Sequence, residues 1–173
     1  PAHLPGPPLV MKRLALTSLL LLGALGAVDA HASSCTVSTT PLAFGAYTSP
    51  GGARVDSSAS VVVTCTPTYL LLACNTPYTL SLSNGVVGGP GSRQMAAGAG
   101  RLQYGLFSDA ARSIPWGDGG ASGGTVAGSI STGLLGLLCL PGVRNHTVYG
   151  RLPANQSVPA GSYADQVVLT ITY

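Results

Sequence analysis

The chain has 173 residues, of which only 8% are charged, with a formal net charge of +3, 24 glycines and four cysteines. So slight and scattered a charge lacks the basic stripe of a nucleic-acid binder. After residue 33 the sequence holds one histidine, four aspartates, no glutamate and no lysine, too few acids, bases and nucleophiles to assemble a catalytic constellation.

Residues 1–10 precede a plausible starting Met11 and are expected to be an upstream leader outside the fold. Met11 opens two basic residues, an apolar run and Ala30-His31-Ala32, a small-x-small cleavage site. That layout predicts a secretory signal peptide over residues 11–32. The apolar run falls short of the ~20 residues that a membrane span needs, so no span is expected in the mature chain. Residues 33–173 then form one exported domain.

Cys35, Cys65, Cys74 and Cys139 all lie beyond the expected cleavage point. An even count in an exported chain predicts disulfides, for which four cysteines leave three connectivities open. Cys65 and Cys74 stand too far apart for a zinc knuckle, and His146 is the only mature histidine, so no metal site is expected.

Short alternating segments follow, set off by Gly, Pro, Ser and Asn. Residues 35–38 and 42–45 read as a first strand broken at Pro41. Residues 57–65 place Val61, Val63 and Cys65 on one face. Residues 78–85 do the same with Tyr78, Leu80 and Leu82 and close on Asn84-Gly85, a strong turn signal. Residues 86–100 and 117–124 are Gly-rich and read as loops. Between them, residues 101–109 alternate Leu102, Tyr104 and Leu106. The run 134–140 reads as a buried strand or a loop plug. Residues 146–152 offer Val148, Gly150 and Leu152. From residue 167 the pattern alternates again, with Val167, Leu169, Ile171 and Tyr173 inward and Gln166, Val168, Thr170 and Thr172 outward. No helical period of useful length appears after residue 33. Six or seven short strands with turn signals between them predict an all-β sandwich.

His146, Asp165 and some serine could be drawn as a triad, but no Gly-x-Ser-x-Gly elbow accompanies them. The chain therefore reads as no enzyme, with no catalytic residue and no cofactor. Trp116, between Pro115 and Gly117, is a candidate loop contact for a ligand, against the plainer reading of a loop anchor.

Several of these stretches occur in one order: "CTVSTTPLAFGAY", "VVVTC", "YTLSLSNG", "RQM" before "LQYGLFSDAARSIPWGDG", and "VYGRLPANQSVPAGSYADQVVLTITY". In that order the chain resembles the spore coat protein U family, whose domain also builds pilins of the archaic, Csu-type chaperone–usher pathway. The resemblance implies an incomplete immunoglobulin-like β-sandwich that lacks its last strand. A periplasmic chaperone would lend that strand, and a neighbouring subunit would replace it at an outer-membrane usher. The strand-accepting edge would be Val167, Leu169, Ile171 and Tyr173. The resemblance also implies a Cys35–Cys65 bridge, which leaves Cys74–Cys139.

Polymerising pilins of this kind carry an alternating apolar donor segment before the first cysteine. Cleavage after Ala32 would leave only Ser33 and Ser34 there. The expectation is a structural and adhesive surface protein, carried through the periplasm to the cell surface and terminal or non-polymerising in its assembly. The rival expectation is a free-standing secreted ligand-binding sandwich.

Overall fold

The computed structural model describes residues 33–67, 75–131, 133–134 and 138–173. The expected leader (1–10), the expected signal peptide (11–32), Cys74 and part of the 134–140 run lie outside the described residues. Among the described residues there is no helix. The strands are β1 (Ser33–Thr39), β2 (Val55–Pro67), β3 (Asn75–Leu82), β4 (Arg93–Ala97) and β5 (Gly100–Phe107). They continue as β6 (Val126–Ser131), β7 (Gly133–Leu134), β8 (Leu138–Cys139), β9 (Gly142–Leu152) and β10 (Leu169–Thr172). One sheet runs β1-β2-β9-β5-β4, a second runs β10-β3-β6, and β7 pairs with β8. Every pairing is antiparallel.

The period-2 patterns determine which faces meet. On β2, Ala59, Val61, Val63 and Cys65 are buried while their neighbours are more open. Tyr78, Leu80 and Leu82 of β3, Leu102, Tyr104 and Leu106 of β5, and Val148 and Leu152 of β9 are buried with them in one core. Val61, Val63, Leu80 and Leu152 are each 1% exposed or less, and a side chain so buried contributes about 1.5–3 kcal/mol. At one end of the sandwich a hydrogen bond of 2.7 Å joins Tyr78 Oη on β3 to His146 Nε2 on β9, tying one sheet to the other.

Cys35 stands directly opposite Cys65 in the β1–β2 register, and the two form a disulfide across 30 residues of sequence. A loop of that size is worth roughly 3–4 kcal/mol in the chain-entropy account. Cys139 is buried and is not a free thiol. Its expected pairing with Cys74 lies outside the described residues.

Four readings need correction. Residues 86–100 were expected to be loop throughout, yet Arg93–Ala97 is a strand that pairs with β5 from Arg93↔Tyr104 to Ala97↔Gly100. Strand β6 was not expected at all, although it is the partner of β3. Its weak pattern has a cause at Gly128, which faces Tyr78 in the register. A Cβ there would lie 2.5 Å from the Tyr78 ring, so the aromatic side chain occupies the space where an apolar residue would have signalled a strand. Finally, residues 42–45 follow the course of a strand but have no ladder, and Asn84-Gly85 closes no hairpin, because β3 and β4 belong to different sheets.

Candidate functional site

Strand β10 lies at the edge of its sheet, bonded to β3 on one side. Just before it, Ser83 N donates to Val168 O at 2.9 Å, and Val168 N donates to Ser83 Oγ at 2.9 Å. Leu169 then faces Leu82, whose own N–H turns the other way to Gly117 O at 2.9 Å. Antiparallel alternation therefore points the backbone groups of Thr170 and Thr172 at β3, and those of Leu169 and Ile171 at the open edge.

Across from that edge run residues 40–49, the continuation of β1 past Pro41. Leu42, Phe44 and Tyr47 are half-buried against the core there. Between this rim and residues 158–169 lies a groove with two basins. One, of about 350 Å³, is lined by Val61, Leu106, Val148, Val167 and Leu169 among others. The other, of about 660 Å³, is lined by Tyr47, Leu102, Leu152, Val158 and Tyr163 among others. Leu42, Phe44 and Met95 line both, so the basins adjoin. The far end is closed by hydrogen bonds: Ser49 Oγ donates to Val158 O at 2.9 Å and accepts from Val158 N at 2.8 Å. Tyr47 Oη donates to Pro153 O at 3.1 Å and accepts from Gln156 N at 2.8 Å. Among the described residues, no hydrogen bond joins 41–46 to 159–173.

The second rim changes sheets as it runs. Ala164 pairs with Ala96 of β4, and Val168 is bonded at the end of β3. Asp165 sits at the crossing. Its Oδ1 accepts from Val86 N at 3.0 Å, Val87 N at 3.2 Å and Gln166 N at 2.9 Å, and its Oδ2 accepts from Tyr104 Oη at 2.6 Å. Burial, with the hydrogen bond to Asp165 behind it, pushes the Tyr104 phenol well up, so Tyr104 is a neutral donor. Beneath, Arg93 is 5% exposed and donates to the carbonyls of Leu82, Ser83 and Trp116. Burial pulls its pKa down, but the three carbonyls satisfy its guanidinium without a carboxylate partner.

Of the four residues expected at the edge, the last differs from the others in burial. Val167, Leu169 and Ile171 are half-buried against the core, while Tyr173 is 44% exposed and follows the last ladder residue. The regular strand is also shorter than the 167–173 pattern, because residues 165–167 make the crossing. Trp116 is no loop contact: it is 1% exposed, and its Nε1 donates to Leu80 O at 3.2 Å, so its indole is a core anchor. His146 and Asp165 are not brought together as a triad would need; His146 is held by Tyr78 and Asp165 by Tyr104 and the 86–87 main chain. Sequence reasoning missed the 40–49 rim as a wall of the groove and gave Asp165 no structural role. The inward alternation of Leu42 and Phe44 was the available signal for the first.

The family model of the Spore Coat Protein U domain matches residues 21–170. The chain belongs to this family. Protein U of Myxococcus xanthus is 40% identical over 80 residues, which cover 45% of this chain and 37% of that protein. A chain of the CsuC–CsuE chaperone–tip adhesion subunit pre-assembly complex, from archaic chaperone–usher Csu pili of Acinetobacter baumannii, is similar at TM-score 0.50. The identity there is 21%, over 82% of this chain and 40% of the other. A chaperone–tip adhesin complex of CFA/I fimbriae biogenesis is similar at TM-score 0.45 and 13% identity, over 80% of this chain and 42% of that one. The chain thus spans well under half the length of each. The fold is an immunoglobulin-like β-sandwich of antiparallel sheets.

Proposed function

We propose that the protein is an exported structural subunit of a cell-surface assembly, pilus or coat, that takes up a complementary β-strand beside β10. On this reading residues 11–32 direct export. A periplasmic chaperone occupies the groove in transit, and an outer-membrane usher and neighbouring subunits take over at the surface. Membership of the Spore Coat Protein U family and the immunoglobulin-like fold support the class of protein. The observation that carries the reading is the groove itself: an apolar floor lies beside a strand edge whose Leu169 and Ile171 backbone groups point away from β3. A strand laid there would gain ladder hydrogen bonds along one side and bury alternate side chains below, which is recognition by strand addition. Each large apolar side chain it buried would contribute about 1.5–3 kcal/mol before ordering costs. A terminal or non-polymerising place in the assembly rests on the expected cleavage after Ala32, which leaves no donor segment ahead of Cys35. The work of such a subunit is binding, and no catalytic step is assigned to it.

The test supplies the strand in cis. A flexible Gly/Ser linker and an alternating apolar segment are joined after Tyr173, making the strand's arrival intramolecular at an effective concentration on the order of millimolar. The expected result is a soluble monomer with a raised melting temperature, while a polar, non-alternating segment on the same linker changes nothing. If the ungrafted chain melts cooperatively as a monomer and the apolar graft leaves its midpoint unmoved, the sandwich is complete and the reading is wrong.

A further inference from the structure

The groove needs a reason to stay open. Its rim beside β10 carries Val167, a half-buried apolar side chain packed at the edge of the core and lining the 350 Å³ basin. Moving that residue farther inward would bury more apolar surface, so the hydrophobic effect favours a rim that sags into the groove and fills it. Two fixed points flank the stretch, Ala164 on β4 and Val168 on Ser83, and between them the main chain crosses from one sheet to the other. What holds it between those points is the Asp165 carboxylate, which takes four hydrogen bonds, two of them from Val86 and Val87 behind the rim and one from Tyr104 on the groove floor. Hydrogen bonds to an ionised carboxylate are about twice as strong as neutral ones. The approach is close: Gly85 has φ +84, and a Cβ on it would lie 2.0 Å from Asp165 Oδ2. The loop after β3 is shaped to admit this carboxylate.

Resting on the proposed function, we infer that Asp165 is the positioning residue of the strand-accepting groove. It ties the rim back to the 85–87 turn and seats it on Tyr104 of the groove floor, and so keeps the groove wide enough for an incoming strand. Asp165 itself need not touch that strand, because its oxygens are committed to the fold.

The inference is tested by crossing the cis-strand graft with substitutions and reading how much the graft raises the melting temperature in each background, so that each variant's own loss of stability is subtracted. Asp165→Ala removes the carboxylate. Gly85→Ala leaves the carboxylate in the sequence but pushes it out of place. Tyr104→Phe removes one of the four hydrogen bonds and is mild enough to keep the fold if the other two do not. Asp109→Ala is the control: Asp109 accepts from Ser113 N, Ser113 Oγ and Ile114 N, a comparably bonded carboxylate that does not line the groove. The expected result is a graft gain reduced to less than half in Asp165→Ala and Gly85→Ala, reduced less in Tyr104→Phe, and unchanged in Asp109→Ala. A full gain retained in Gly85→Ala and Tyr104→Phe, or an equal loss in Asp109→Ala, overturns the inference while leaving the groove's function standing. No gain in the unsubstituted chain refutes the groove's function, and this inference with it.

Discussion

Replacing Trp116 by Ala should remove about 3–5 kcal/mol of stability, the usual cost of emptying so large a buried site. Trp116→Phe keeps an aromatic ring in place but leaves the Leu80 carbonyl without its indole donor, a cost of roughly 1–3 kcal/mol. Urea midpoints at unchanged slope measure both, and a neutral Trp116→Ala would contradict a buried anchor. A second residue-scale outcome concerns Asp56 on the outer face of β2. Its carboxylate receives Arg151 Nε at 2.7 Å and Arg151 Nη2 at 3.0 Å, with Arg112 at 3.5 Å. The Arg151 hydrogen bond holds its pKa below the ordinary carboxylate value. A depressed folded pKa gives stability that is present above the unfolded value and lost as pH falls through the folded one, so the pair contributes above about pH 4 and its contribution is lost below that. Arg151→Gln should move the Asp56 titration midpoint upward, followed by its side-chain carbon shift; an unmoved midpoint would contradict the assignment.

At the scale of the element, β10 offers two neighbouring positions that differ only in the face they occupy. Leu169 is half-buried toward the groove and Thr170 is exposed. Leu169→Asp should therefore damage folding and strand uptake, because it sets a charge against the apolar floor, while Thr170→Asp leaves its charge in water. Secreted yield and the graft-induced rise in melting temperature compare them, and equal behaviour would reverse the assignment of faces. This strand was legible from the sequence because its side chains obey the period of two, as do those of β2, β3 and β5. The strands that were not legible lack that alternation in letters. In β4 the buried position is Arg93, a charged residue satisfied by carbonyls from β3 and residue 116, and no local pattern announces such partners. In β6 a glycine stands where Tyr78 supplies the bulk from the neighbouring strand.

For the whole molecule, the sequence showed that an apolar edge needed covering but not what shape the opening had. The groove's two rims are 40–49 and 158–169, far apart in the chain and mostly without a ladder, so its width depends on contacts that no alternation encodes. Asp165, set aside as a paper triad member, turns out to tie one rim to the sandwich. The central claim is that this opening receives a strand at the edge of β10. Amide hydrogen exchange along β10, read residue by residue with and without the cis-grafted strand, tests it most directly. Thr170 and Thr172, whose N–H groups face β3, should be protected in both forms. Leu169 and Ile171, whose N–H groups face the open edge, should exchange quickly in the ungrafted chain and slow sharply once the strand is present. Exchange at Leu169 and Ile171 that is already slow without the graft, or that stays fast with it, would contradict the account.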